Sequence, residues 1–109
     1  MQLISINVEE RYNDKIVRVE GSGNQTKEIF AFTLSTCMWC NLGKKWLKEK
    51  GYSYSYLDID KFQVKERDQL KTELRELFGE NPRFPFLIVD KKKCSSGYQP
   101  SIWEEMLND

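Results

Sequence analysis

From Leu3 onward, Ile4, Ile6 and Val8 alternate with Ser5, Asn7 and Glu9, the period of a strand with one buried face. Glu9 to Lys15 is polar and predicts a turn. Ile16 to Glu20 alternates again, so residues 3–20 read as a hairpin. Gly21-Ser22-Gly23-Asn24 then predicts a flexible loop.

The pattern changes at Glu28. Ile29-Phe30-Ala31-Phe32-Thr33-Leu34 is almost continuously apolar, as expected of a strand covered on both faces. It runs into Ser35-Thr36-Cys37-Met38-Trp39-Cys40, and Cys40 to Lys50 predicts a helix stopped by Gly51. Met38, Leu42, Trp46 and Leu47 are spaced for one helical face. Tyr52 to Ile59 returns to alternation, with Tyr52, Tyr54 and Tyr56 on one side, and the intervening helix makes this strand parallel to 29–34. A second helix is predicted from Asp60 or Lys61 to about Phe78, with Val64, Leu70, Leu74, Leu77 and Phe78 as its apolar stripe and Gly79 as its stop. Phe86-Leu87-Ile88-Val89 is an apolar strand after Pro85. Asp90 to Lys93 is a polar turn, and Cys94 to Ser96 is the return arm of a hairpin. Pro100-Ser101 opens a last helix carrying Ile102, Trp103, Met106 and Leu107. The order β-α-β-α-β-β-α implies an α/β sandwich around a mixed sheet, with the hairpin at 3–20 added on its edge.

Length and composition narrow the chemistry. The 109 residues are one domain's worth, and 39% apolar with 31% charged residues allows a core and a solvated surface. Lys+Arg is 17 and Asp+Glu is 17, a zero balance that argues against a general nucleic-acid or anionic-membrane binder. No stretch reaches the ~20 apolar residues of a membrane span. Met1 to Glu10 does not look like a signal peptide, so a cytoplasmic, thiol-reducing setting is expected. With no histidine, His-based catalysis and imidazole metal sites are excluded.

The three cysteines carry the chemistry that is left. Cys37 and Cys40 stand where a buried strand gives way to a helix. There, free backbone N–H groups and the helix dipole favour negative charge, so a thiolate is stabilised without a histidine. The i, i+3 spacing brings the second sulfur to the same face of the first turn. Cys37 is the expected outer, attacking thiol, and Cys40 the buried one that resolves the mixed disulfide. Three other readings of the pair remain. Two cysteines can merely pack; a zinc or cluster site would need a fourth ligand or a second chain; and a monothiol deglutathionylase would need Cys37 alone. Trp39 reads either as a docking aromatic facing out, which its place inside the motif favours, or as core; Trp46 and Trp103 read as core. Cys94 reads as a free thiol, with a regulatory or dimer-forming role as its second reading. Lys91 to Lys93 is a solvated hairpin tip that could also steer an acidic partner.

Residues 29 to about 108 resemble a glutaredoxin. Cys37-Met38-Trp39-Cys40 takes the place of that family's Cys-Pro-Tyr-Cys, Phe84-Pro85 the place of its cis-proline turn, and Ser96-Gly97-Tyr98-Gln99-Pro100 the place of its glycine turn before the last helix. The resemblance implies a thioredoxin-like α/β/α sandwich with a mixed central sheet. Residues 1–109 would form a single glutaredoxin-like domain, with 1–28 an N-terminal β-hairpin extension and 29–109 the redoxin core. It implies a cis Pro85 that faces the cysteines, and Met38, Trp39, Phe84, Pro85, Gly97 and Tyr98 as the residues that touch the substrate.

The branch of the family matters for the electron donor. Glutathione-using members usually carry Lys where this chain has Leu34, Thr-Val-Pro where it has Arg83-Phe84-Pro85, and Gly-Gly-x-Asp or Gly-Cys-Asp where it has Gly97-Tyr98-Gln99-Pro100. Ser96 to Pro100 is instead similar to the Ser-Gly-Phe-Arg-Pro of redoxins that reduce ribonucleotide reductase, with Gln99 in place of their Arg. The expected activity is therefore a dithiol–disulfide oxidoreductase acting on protein disulfides, possible targets including ribonucleotide reductase. Thioredoxin reductase or a similar enzyme is the expected donor, and glutathione stands second. No cofactor, metal, nucleic acid or membrane is implied, and a monomer is expected. A non-enzymatic module that binds through the hairpin at 3–20 is the reading from another class.

Overall fold

The computed structural model of the protein describes residues 13–23 and 25–108. The elements run β1 (Val17–Val19), β2 (Ile29–Thr33), α1 (Met38–Glu49), β3 (Tyr54–Asp58), α2 (Val64–Phe78), β4 (Phe86–Val89), β5 (Lys93–Ser96) and α3 (Pro100–Asn108). Single turns of 3-10 helix cover Asn13–Lys15 and Ile59–Lys61. The strands form one sheet in the order β1-β3-β2-β4-β5. β2 and β3 are parallel, as a crossover through a helix requires, and the other neighbours are antiparallel.

The two apolar runs of the sequence, β2 and β4, lie side by side with both faces covered. Ile29, Ala31, Leu87 and Val89 point to one face, where Leu47 of α1 and Trp103, Met106 and Leu107 of α3 close the core. Phe32, Phe86 and Ile88 point to the other, against Leu70 and Leu74 of α2. The period-two geometry of a strand thus serves two cores at once. The result is the three-layer α/β/α sandwich with a mixed sheet that the element order implied.

Several boundaries and faces differ from the sequence reading. The strand expected at residues 3–8 lies outside the described residues. The second arm of that hairpin is present as β1, at the edge of the sheet, antiparallel to β3. The Gly21–Gly23 segment is pinned rather than free. The Gly21 N–H donates to Ser53 Oγ at 2.8 Å and the Gly23 N–H to Gly51 O at 3.0 Å. A Cβ on Gly21 would stand 2.2 Å from the Gly51 carbonyl oxygen, so glycine is required there by close approach.

The helix expected from residue 60 is broken. Ile59 and Phe62 are both buried, three residues apart, and that spacing is met by a 3-10 turn before α2 begins at Val64. Val64 is not part of the stripe: it is 61% exposed. In α1 the buried residues are Cys40, Gly43 and Leu47, whereas Met38 and Leu42 face outward. Trp103 is fully buried, and Trp46 is half-buried at the core's margin.

Candidate functional site

The end of β2 and the start of α1 build the site. Cys37 is the N-cap of α1, with extended backbone (φ −83°, ψ 121°). Its sulfur accepts the N–H of Cys40 at 3.3 Å, where an oxygen acceptor caps most helices. The Cys37 N–H in turn donates to Leu34 O at 3.3 Å, closing the Ser35–Thr36 turn. A second clamp holds that turn from outside: the Ser35 N–H and Oγ donate to the two oxygens of Asp60 at 2.9 and 2.5 Å. Partial burial opposes the Asp60 carboxylate, but the Ser35 donors and Lys61 outweigh it and hold its pKa below the usual range.

Cys40 is completely buried, while Cys37 is half-exposed. The Cys40 sulfur accepts the Leu34 N–H at 3.4 Å. Burial pushes its thiol up to about 12, and the hydrogen bond and charge of neighbouring Cys37 push the same way. The Leu34 N–H and the charge of Lys44 work in the opposite direction. The two thiols therefore differ in access as expected: one outer, one inner.

The opposite wall comes from the loop before β4. The Phe84–Pro85 bond is cis, and the Phe84 carbonyl oxygen lies 3.9 Å from Cys37 Sγ. Pro85 is buried against α1 at Gly43, where an added Cβ would meet Pro85 Cγ at 3.0 Å and the Trp103 ring at 2.8 Å. Only a residue without a side chain lets α1 approach this closely. Gly97 then ties β5 to the same loop: its N–H lies 3.0 Å from Pro85 O and 3.1 Å from Arg83 O.

Met38 and Trp39 are 63% and 53% exposed beside Cys37. The Trp39 ring stacks on Tyr98, with centroids 6.1 Å apart and planes 28° apart, and Tyr98 packs edge-on against buried Trp103. The structure therefore gathers Cys37, Cys40, Met38, Trp39, Phe84, Pro85, Gly97 and Tyr98 around one end of the sheet. Gln99 is used locally, its Nε2 donating to Ser96 O at 2.7 Å. Cys94 packs instead with the α2-side core, and burial raises its pKa. Among the described residues, no three His, Cys, Asp or Glu side chains are placed to hold a metal ion.

Three features of the site escaped sequence reasoning: the Trp39–Tyr98 stack, the Ser35–Asp60 clamp and a partly buried pair of Lys44 with Asp58. Lys44 Nζ lies 3.3 Å from Asp58 Oδ1, itself the acceptor for Thr33 Oγ1 at 2.5 Å. The available signal was a lysine one turn beyond Cys40 on a helix face that is otherwise buried.

A Cys-x-x-Cys at the start of the helix after a central strand, faced by a proline at the start of an antiparallel neighbour, defines the thioredoxin-like class of thiol proteins. Residues 29–93 match the Glutaredoxin family, and the chain belongs to that family. A glutaredoxin from Methanosarcina mazei Go1 is similar at 27% identity and TM-score 0.69, over 88% of this chain and 90% of that one. Methanoredoxin from Methanosarcina acetivorans is 26% identical, with TM-score 0.64 over 81% of this chain and 92% of that one. A glutaredoxin from Archaeoglobus fulgidus, 24% identical, shares the fold at TM-score 0.65 over 82% and 99% of the two chains. Among curated proteins nothing matches the chain. No helix among the described residues is long and apolar enough to cross a membrane.

Proposed function

We propose that the protein is a dithiol–disulfide oxidoreductase that reduces disulfides of partner proteins. The observation that carries this reading is the Cys37 sulfur, half-exposed at the N-cap of α1 and held by the Cys40 N–H at 3.3 Å. The Cys37 thiolate attacks a sulfur of the partner's disulfide; a Cys37–partner bond forms and the partner's other sulfur leaves as a thiolate, taking a proton from water. Cys40 then loses its proton and attacks Cys37 Sγ. The Cys37–Cys40 disulfide forms, the mixed disulfide breaks, and the partner leaves with both sulfurs reduced. A reductase returns two electrons to the pair.

Met38, Trp39, Phe84, Pro85, Gly97 and Tyr98 form the surface offered to the partner in this reading. Trp39 and Tyr98 are large, rigid and amphipathic, the kind of side chain that anchors a protein partner. The donor is a flavoprotein of the thioredoxin-reductase kind, and a ribonucleotide reductase is a fitting target. Leu34, where glutathione-using members usually carry Lys, supports this over glutathione, whereas Gln99 is a departure, standing where those redoxins carry Arg. The working compartment is the reducing cytoplasm, where the Cys37–Cys40 disulfide is returned to two thiols after each turnover.

A coupled assay that offers glutathione, thioredoxin reductase and a ferredoxin-linked reductase in turn decides the donor. Reduction of insulin disulfides is expected with thioredoxin reductase and lost in Cys37→Ser; unchanged activity in that variant overturns the assignment.

A further inference from the structure

A partly buried ion pair that the cycle above does not use lies one helical turn behind the resolving cysteine. Lys44 follows Cys40 by four residues, so the two side chains share a helix face. The Lys44 side chain is 19% exposed and that of Asp58 8%. Lys44 Nζ also lies 3.9 Å from the centroid of the Tyr56 ring, and Asp58 accepts the Thr33 hydroxyl across the paired ends of β2 and β3. Replacing such a pair by apolar residues is often neutral or stabilising, so its presence is poorly explained by stability alone.

We infer that Lys44, held in place by Asp58, Thr33 and Tyr56, is the positioning residue that readies Cys40 for the resolving step. The inference rests on the dithiol cycle proposed above. In that step Cys40 passes its proton to solvent, its sulfur attacks Cys37 Sγ, and the partner's sulfur leaves as a thiolate. Negative charge thus appears on a buried atom that accepts the Leu34 N–H at 3.4 Å, and the Lys44 ammonium, four residues on along the same helix face, favours that charge. Asp58 fixes where that ammonium stands. The other titratable groups around the network are Cys37 on α1, Tyr54 and Tyr56 on β3, and Asp60 and Lys61 in the turn that follows; Lys61 Nζ lies 3.8 Å from Asp58 Oδ2, and Asp60 is engaged by Ser35. The Tyr54 hydroxyl donates to Lys44 O at 3.4 Å.

Stopped-flow reaction of the reduced protein with substoichiometric Ellman's reagent separates the two steps. Attack by Cys37 releases the first chromophore, and displacement by Cys40 releases the second. Lys44→Met is expected to leave the first phase unchanged and to slow the second, as the loss of about one pK unit of thiolate stabilisation would. Ten times less thiolate, partly offset by its greater nucleophilicity, slows the second phase at neutral pH roughly three- to tenfold. Lys44→Arg, which keeps the charge, restores most of the rate. If Lys44→Met does not fold, Lys44→Met/Asp58→Asn, which removes both charges, carries the same comparison. A second phase with unchanged rate overturns the inference, as does equal slowing by Lys44→Arg. No second phase in the unmodified protein overturns the dithiol cycle itself, and the inference with it.

Discussion

The backbone N–H of Cys40 points at the Cys37 sulfur at 3.3 Å, while the Cys40 side chain turns inward to the Leu34 N–H. One residue therefore serves the pair twice, through its amide at the first step and through its sulfur at the second.

Those two services separate by mutation. Cys40→Ser keeps the amide and removes the resolving sulfur. It is expected to retain rapid attack by Cys37 on a disulfide and to stop at a mixed disulfide, seen as an added mass by intact-protein mass spectrometry. Release of that adduct at the unmodified rate would remove Cys40 from the cycle.

Stability should fall at alkaline pH. Cys40 has its pKa raised by burial from 9.0 to about 12, so the folded state holds a proton that the unfolded state gives up. The associated stability is fully present below about pH 9 and is lost as pH rises towards the folded value. Cys94 and Tyr54, also raised by burial, act with the same sign. Urea midpoints between pH 8 and 11 should therefore decline, and decline less in Cys40→Ala. Asp60 acts at the other end: its lowered pKa contributes stability above 3.8 that is lost as pH falls through the folded value. Asp60→Asn should flatten the acid limb.

Gly43→Ala tests the contact between α1 and the proline wall. The new methyl would stand 2.8 Å from the Trp103 ring and 3.0 Å from Pro85. Overpacking of this kind costs about 1–3 kcal/mol, although alanine favours a helix by up to about 1 kcal/mol relative to glycine. A net loss is expected in thermal unfolding, together with slower disulfide exchange, because Pro85 forms one side of the site.

Trp39→Ala and Tyr98→Ala should behave differently. Stacked aromatic pairs are worth about 0.5–1.5 kcal/mol beyond the area they bury, so a double-mutant cycle on stability should return a coupling in that range. If the pair is the partner-facing surface, each single variant raises the KM for a protein disulfide several-fold and leaves attack on a small aromatic disulfide unchanged. Equal loss on both substrates would assign the stack to scaffolding.

Much of this architecture was legible because its central strands are apolar throughout. A run such as Phe86 to Val89 can hardly sit anywhere except between two covered faces. The helices were harder. Met38, Leu42 and Val64 matched apolar stripes yet face outward, since periodicity records that a residue is apolar and not what covers it. At Ile59 and Phe62, a three-residue spacing fits an α-helix and a 3-10 turn equally, and only the packing of Phe62 decides. The cysteines and Pro85 were found because their chemistry is local or recurs at a familiar distance. Trp39 with Tyr98, and Lys44 with Asp58, are partners joined only by the folded sheet, and neither residue of either pair announces the other.

The clamp between Ser35 and Asp60 and the glycine contact between Gly43 and Pro85 draw the surroundings of Cys37 from the first, middle and last thirds of the described chain. The amide that holds the Cys37 sulfur belongs to α1 itself, but the proline wall opposite it is in place only once β4 and α3 have packed. A change in any of those three stretches therefore reaches the same sulfur without touching it.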